Sequence, residues 1–238
     1  MSGESAAARR AELLDNLTAV RERIGRAGRL EGRDPSEITL IAVTKFFPAS
    51  DVRLLADLGV RDIGENRDQE AREKVGDATL DGLSLTVHFI GQLQTNKAAS
   101  IISYADAIHA VDRPKLVSAL DRAATTAGRR PRVLVQVGLD EEPGRGGVPP
   151  GAAGALADAV AQATALELAG VMAVAPLGGD PDAAFARLRS VADGIQAAHP
   201  AATWVSAGMS GDLEAAIRHG ATHLRVGSAI LGSRPTFR

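Results

Sequence analysis

The sequence predicts a (β/α)8 barrel, and three observations predict it. Short apolar runs rich in β-branched residues alternate with amphipathic helical stretches, and eight such runs can be counted along the chain. The first of them, Leu40 to Val43, passes through Thr44 and Lys45 to Pro48, as a strand buried on both faces and closed by a turn should. The third observation is the absence of a GxGxxG or GxxxxGK[ST] loop. A doubly wound open sheet, the alternative, usually has fewer strands and often carries such a loop.

The elements follow in order. Residues from about 4 to 30 read as a long helix with Leu13, Leu14, Leu17, Val20 and Ile24 on one face, punctuated by Gly28 and Gly32. The first strand is Ile38 to Thr44. A helix follows from about Ser50, its expected N-cap, with Val52, Leu54, Leu55 and Leu58 apolar and Gly59 closing it. Val60 to Ile63 is the second strand, ending in Gly64-Glu65-Asn66, and a charged helix runs on to about Val75. The third strand, Leu85 to Ile90, stops at Gly91, and a helix begins near Thr95. The fourth, Ala107 to Val111, leads to Pro114 in the first turn of a helix. Arg132 to Val137 is the fifth; a Gly- and Pro-rich loop, Glu141 to Pro150, separates it from an alanine-rich helix. The sixth, Leu168 to Val174, precedes a helix from about Asp182 to Ala198. Thr203 to Ser206 is the seventh, and its loop, Ala207 to Gly211, opens a helix to His219. The eighth is His223 to Val226, with Gly227-Ser228 opening a last helical turn. No linker or low-complexity tract divides the chain, so residues 1–238 are expected to form one domain, a barrel over about 38–233 behind the N-terminal helix.

Composition narrows the function. Acids and bases nearly balance, at a formal net charge of −2, which speaks against a nucleic-acid or anionic-membrane surface. One Trp, one Tyr and five Phe offer few stacking platforms for single-stranded nucleic acid. Without cysteine there is no thiol catalysis, disulfide or cysteine-ligated zinc. Arg9 and Arg10 are not followed by an apolar leader, and no apolar run approaches the roughly 20 residues that cross a bilayer. A cytoplasmic protein without membrane or nucleic-acid partners is the expectation.

In a barrel the carboxyl ends of the strands hold the site. The first strand puts Lys45 there, the second Asn66, the third His88 and Gly91, and the sixth Met172. The seventh and eighth contribute Ser206-Ala207-Gly208-Met209-Ser210 and Arg225-Val226-Gly227-Ser228. Taken singly, Lys45 reads as a strand end reaching water, and each glycine as a tight turn. Two adjacent loops of small residues and hydroxyls at helix openings, with Arg225 between them, together point to a phosphate. A phosphate and a lysine in one mouth suit two ligands: pyridoxal 5′-phosphate (PLP), which carries an aldehyde as well, and a phosphosugar handled by a class I aldolase.

The segments AVTKFFPASDV, DIGENRDQEAREK, HFIGQLQTNK, HAVDR, GVMAV, SAGMSGDLEAAI and THLRVGSAILG, in this order, resemble the YggS/PROSC family of PLP homeostasis proteins. The resemblance spans about residues 38 to 233. It implies a fold-type III PLP barrel like that of alanine racemase, with Lys45 carrying PLP as a Schiff base and Asn66 beside its ring. It further implies Ser206, Ser210, Gly227 and Ser228 at the phosphate and Arg225 near the pyridine nitrogen, where a guanidinium keeps that nitrogen unprotonated and the electron sink weak. The chain departs from many relatives at Arg145, where they carry a lysine.

A racemase needs a second acid/base, which in alanine racemase is a tyrosine from a further domain. This chain ends after the eighth strand, and Tyr104 precedes the fourth, at the amino end of the barrel. Of the histidines, only His88 is expected near the mouth. The expectation is therefore a monomeric, non-catalytic protein that buffers PLP and passes it to apo PLP-dependent enzymes. An amino-acid racemase or decarboxylase is the rival, and a phosphosugar aldolase the distant third.

Overall fold

The computed structural model describes residues 3–140 and 146–233. Eight parallel strands close on themselves in sequence order: β1 (Thr39–Val43), β2 (Asp62–Glu65), β3 (Thr86–Phe89), β4 (Ala107–Val111), β5 (Arg132–Gln136), β6 (Glu167–Met172), β7 (Trp204–Ser206) and β8 (His223–Val226). Closure comes from β1 against β8, with Thr39 opposite His223 and Ala42 opposite Val226. The helices are α1 (Gly3–Leu30), α2 (Ala49–Asp57), α3 (Asp68–Val75), α4 (Ala98–Ile102), α5 (Pro114–Ala127), α6 (Ala153–Gln162), α7 (Pro181–Ala198), α8 (Leu213–Arg218) and α9 (Ser228–Leu231). The (β/α)8 expectation and the N-terminal helix both hold.

Each strand sends alternate residues to two different cores. Those facing out, such as Ile63, Phe89, Val133 and Val171, join one large apolar cluster with the helices. Facing in, Ala110, Leu134, Ala169 and Met172 form a small second cluster with Trp204 against it. The last barrel helix, α9, is a single turn, and α1 supplies the missing cover. Leu13, Leu17, Val20 and Ile24 of α1 are buried. Its polar side chains hold the carbonyls of the neighbouring turn: Asn16 donates to Ile230 O at 3.0 Å and Arg9 to Leu231 O at 3.0 Å. Arg9 also pairs with Asp51 at 2.8 Å, fastening α2.

Several boundaries differ from the sequence expectation. β2 begins and ends two residues later, so Gly64 and Glu65 belong to the strand. Ser50 does not cap α2; Pro48 occupies the cap position, without a side-chain bond. Near Thr95 the chain makes only a 3₁₀ turn before the five-residue α4. Pro114 does open α5, and Gly128 ends it in the left-handed conformation. Residues 141–145 of the 141–150 loop, Arg145 among them, lie outside the described residues.

Candidate functional site

A cavity of about 360 Å³ opens at the carboxyl ends of the strands, between β1, β3, β7 and β8. That volume lies within the usual range for a small-molecule site. Val43, Phe46, Phe47 and Ile90 give it apolar walls, while Lys45, Ser210, Arg225, Gly227 and Ser228 supply its polar groups. Five of the nine residues singled out from the sequence are thus brought together.

The lysine side is built on buried charge. Directly after β1, Phe46 takes a left-handed backbone (φ 71°), a conformation that a bulky side chain adopts only under constraint. The constraint comes from α3. Glu70 accepts the Phe46 N–H, and Lys74 donates to Thr44 O at 2.7 Å and to Glu70 at 3.1 Å. Lys74 also reaches Glu65 at 2.7 Å, and the Thr44 hydroxyl donates to the same carboxylate oxygen at 2.6 Å. Glu65 and Lys74 are both buried, and Glu65 Oε2 has no hydrogen-bond partner among the described residues. Burial holds the Glu65 carboxyl above its ordinary range, against the pull of Lys74. Lys45 itself is half-buried, its amine 5.9 Å from the centre of the Phe46 ring.

The serine side is built from loops tied to α1. Ser228 Oγ donates to Ser210 Oγ at 3.2 Å, and Ala229 N–H reaches that oxygen at 3.3 Å, so the two loops meet at their hydroxyls. The Met209 N–H donates to Asp212 at 2.6 Å, which folds the first loop. Gly208, at φ 90°, lets the loop leave β7; a Cβ there would sit 2.6 Å from that of Ala216. Behind the loop, Arg23 donates to Ser210 O at 3.0 Å and grips Glu214 with two bonds, at 2.8 and 2.9 Å.

Arg225 rises from inside the barrel to the cavity floor. It is buried, and burial lowers its guanidinium to about 10, which leaves it charged at neutral pH. Its hydrogen bonds go to two neutral acceptors, Ser206 Oγ at 2.6 Å and Ala173 O at 2.8 Å.

The remaining sequence candidates lie elsewhere. Ser206 does not line the cavity, because its hydroxyl is engaged with Arg225 and with His109 at 2.9 Å. Met172 fills the inner core. His88 is fully buried below the mouth, between His109 at 2.9 Å and Asp62 at 3.0 Å; its inward direction takes it to the barrel interior. Asn66 sits half-buried beyond β2, so close to Gly91 that a Cβ on Gly91 would fall 2.2 Å from its backbone and side-chain oxygens. Tyr104 is in the helical layer, its hydroxyl 3.5 Å from Asp68 at the start of α3. Sequence reasoning missed Glu65, Glu70, Lys74, Arg23 and His109. The Glu70–Lys74 spacing of four was visible, yet it reads as a solvated helix pair until α3 is placed behind the β1 loop.

Comparison with known proteins fits this geometry. Residues 16–235 match the family described as alanine racemase, N-terminal domain. A pyridoxal phosphate homeostasis protein of Mycobacterium tuberculosis is 45% identical over 243 residues, covering 95% of this chain and 94% of its own length. The protein of that name in Escherichia coli is 35% identical over 231 residues, covering 94% and 97%. Among solved structures, PipY of Synechococcus elongatus with PLP bound has a TM-score of 0.81 at 35% identity, covering 92% of this chain and 100% of its own. Alanine racemase of Clostridium difficile shares the fold, at a TM-score of 0.71, 15% identity and 58% of its chain covered.

Proposed function

As a member of the alanine racemase N-terminal domain family, and within it of the pyridoxal phosphate homeostasis proteins, the chain has, we propose, the function of binding PLP in the barrel-mouth cavity, buffering it and passing it on without turnover of its own. The single observation that carries this is the cavity's arrangement: an amine, a buried guanidinium and a pair of hydroxyls around apolar walls. The donor set fits the group. Lys45 would hold it covalently through its amine, the Ser210 and Ser228 hydroxyls would bond its phosphate, and Arg225 would face its ring nitrogen. Bound PLP would supply an electron sink for amino-acid chemistry. Arg225 would weaken that sink, since a guanidinium can donate to the ring nitrogen but cannot give up its proton to it. The clamp of Lys74 and Glu70 on Thr44 O and Phe46 N–H orients Lys45 towards the cavity. Val43, Ile90 and Phe47 of the cavity wall would exclude water from the bound group.

Beside Lys45 and Arg225 the lining offers, among the described residues, hydroxyls and apolar groups, none of them suited to take a proton from carbon. This favours a carrier over a racemase or decarboxylase. Protein loaded with PLP and incubated with L-alanine in deuterated water should show little deuterium at Cα and no D-alanine, while PLP moves to an added apo-enzyme. Multiple turnovers giving D-alanine or an amine would replace the carrier reading with the enzymatic one.

A further inference from the structure

Beneath the cavity a line of hydrogen bonds climbs through the barrel interior. It begins at Asp62, the first residue of β2, whose carboxylate is 3.0 Å from His88 Nε2. His88 Nδ1 is 2.9 Å from His109 Nε2, and His109 Nδ1 is 2.9 Å from Ser206 Oγ. Ser206 Oγ then meets Arg225 Nη1 at 2.6 Å. His88, His109 and Ser206 are fully buried, and the side chain of Asp62 is 26% exposed.

Proton accounting gives the line a direction. A carboxylate only accepts, so His88 carries a proton on Nε2. A neutral imidazole has one N–H, which makes His88 Nδ1 an acceptor and requires the donor to be His109 Nε2–H. His109 Nδ1 is then bare and takes the Ser206 hydroxyl proton, leaving a Ser206 lone pair for the Arg225 N–H. The opposite order needs a doubly protonated His88. It also turns two donors onto Ser206 Oγ and leaves the hydroxyl proton without an acceptor in a fully buried position, a costly arrangement. A charged His109 is disfavoured as well: burial holds it well below the ordinary histidine range, and His88, Arg225 and His223 lower it further.

We propose that His88 and His109 are positioning residues for Arg225: the one-way line from Asp62 holds the Ser206 hydroxyl as an acceptor towards the guanidinium and so fixes the face that Arg225 turns to the cavity. The cavity contact with a cofactor ring rests on the functional reading above; the line itself does not. Ala173 O alone would restrain one end of the guanidinium. Adding Ser206 restrains both, and the bond from its proton to His109 fixes the direction in which its lone pair faces Arg225.

Nitrogen-15 spectra of the full chain without cofactor test the line directly. His88 and His109 should each show Nε2 protonated and Nδ1 bare. In S206A the Arg225 guanidinium should rotate about its Cζ–Nε bond roughly ten- to a hundredfold faster, the effect of one lost hydrogen bond to a charged group. H109F should do the same, and H109Q, which keeps one acceptor for Ser206 and one donor for His88, should restore the slower rotation. A proton on His109 Nδ1, or rotation equal in wild type and S206A, overturns the proposal. Should H109F fail to fold, the rotation rate in S206A still separates the two outcomes. If wild-type protein does not bind PLP at all, the functional reading falls while these spectra still decide the line.

Discussion

The two sides of the cavity are held in opposite ways. On the lysine side, Lys74 and Glu65 are buried ions that support a strained turn from behind. On the serine side, Arg23 and Glu214 are partly exposed, at 35% and 44% of their side-chain surface, and steady a loop through one backbone carbonyl. A buried pair is weak evidence of net stabilisation, but removing one member leaves an uncompensated charge. An exposed pair is worth little and loses little. The lysine is thus fixed rigidly by a support that tolerates no single loss, whereas the hydroxyls sit on a loop that can adjust.

That contrast can be broken most severely at Lys74. Lys74→Met should destabilise the fold by about 3–5 kcal/mol, read from urea unfolding, because Glu65 loses its cation in a dry position. Adding Glu65→Leu should recover much of the loss. An unchanged midpoint for the single variant would mean that water reaches Glu65 and the two sides are alike.

On the serine side the larger effect is on binding, not folding. On the proposed binding mode, Ser210→Ala or Ser228→Ala should remove a bond to a charged phosphate, worth about 1.5–3 kcal/mol, or about one to two decades in PLP affinity. Pyridoxal without phosphate should bind poorly and hardly notice either change. Equal losses for both ligands would show that the loops act on the fold.

Smaller still is Arg23→Ala, expected to cost about 1 kcal/mol or less in thermal unfolding, since its partner Glu214 stays hydrated. Acid sharpens the same comparison. The Arg23 hydrogen bond holds the Glu214 carboxyl below its ordinary range. Its stabilisation is therefore present above that range and lost as pH falls through the lowered folded value. Glu65, held high by burial, behaves oppositely: its contribution is present in acid and lost as pH rises through the raised folded value. The stability gap between wild type and Glu214→Gln should close towards acid, and that of Glu65→Gln towards alkali. Gaps closing in the same direction would remove the distinction between the sides.

Much of this was legible in the sequence because strand burial leaves a local mark. Ile41 to Val43 and Val133 to Val135 are apolar in a row because barrel strands are covered on both faces, and the lysine and hydroxyls follow at the ends of such strands. What was not legible depends on direction in space. His88 looked like a mouth residue, one position before Phe89 closes β3, but its side chain turns inward and meets His109 from another strand. Ser206 resembled Ser210 in composition, yet alternation along β7 sends it inside to Arg225. Glu65 reads as part of the Gly64-Glu65-Asn66 turn, and Lys74 as part of a charged stretch with the pattern of a solvated helix. Only the placement of α3 behind the β1 loop shows them as the buried support of Lys45.

The central claim is that the amine at the end of β1 is the one that captures PLP. Incubation of the protein with PLP, borohydride reduction and mass spectrometry of the peptides tests it most directly. A stoichiometric label on Lys45 is the expected result, abolished in Lys45→Ala together with the near-visible absorption band of the bound cofactor. A stoichiometric label at another lysine in the variant, such as Lys97, would contradict it.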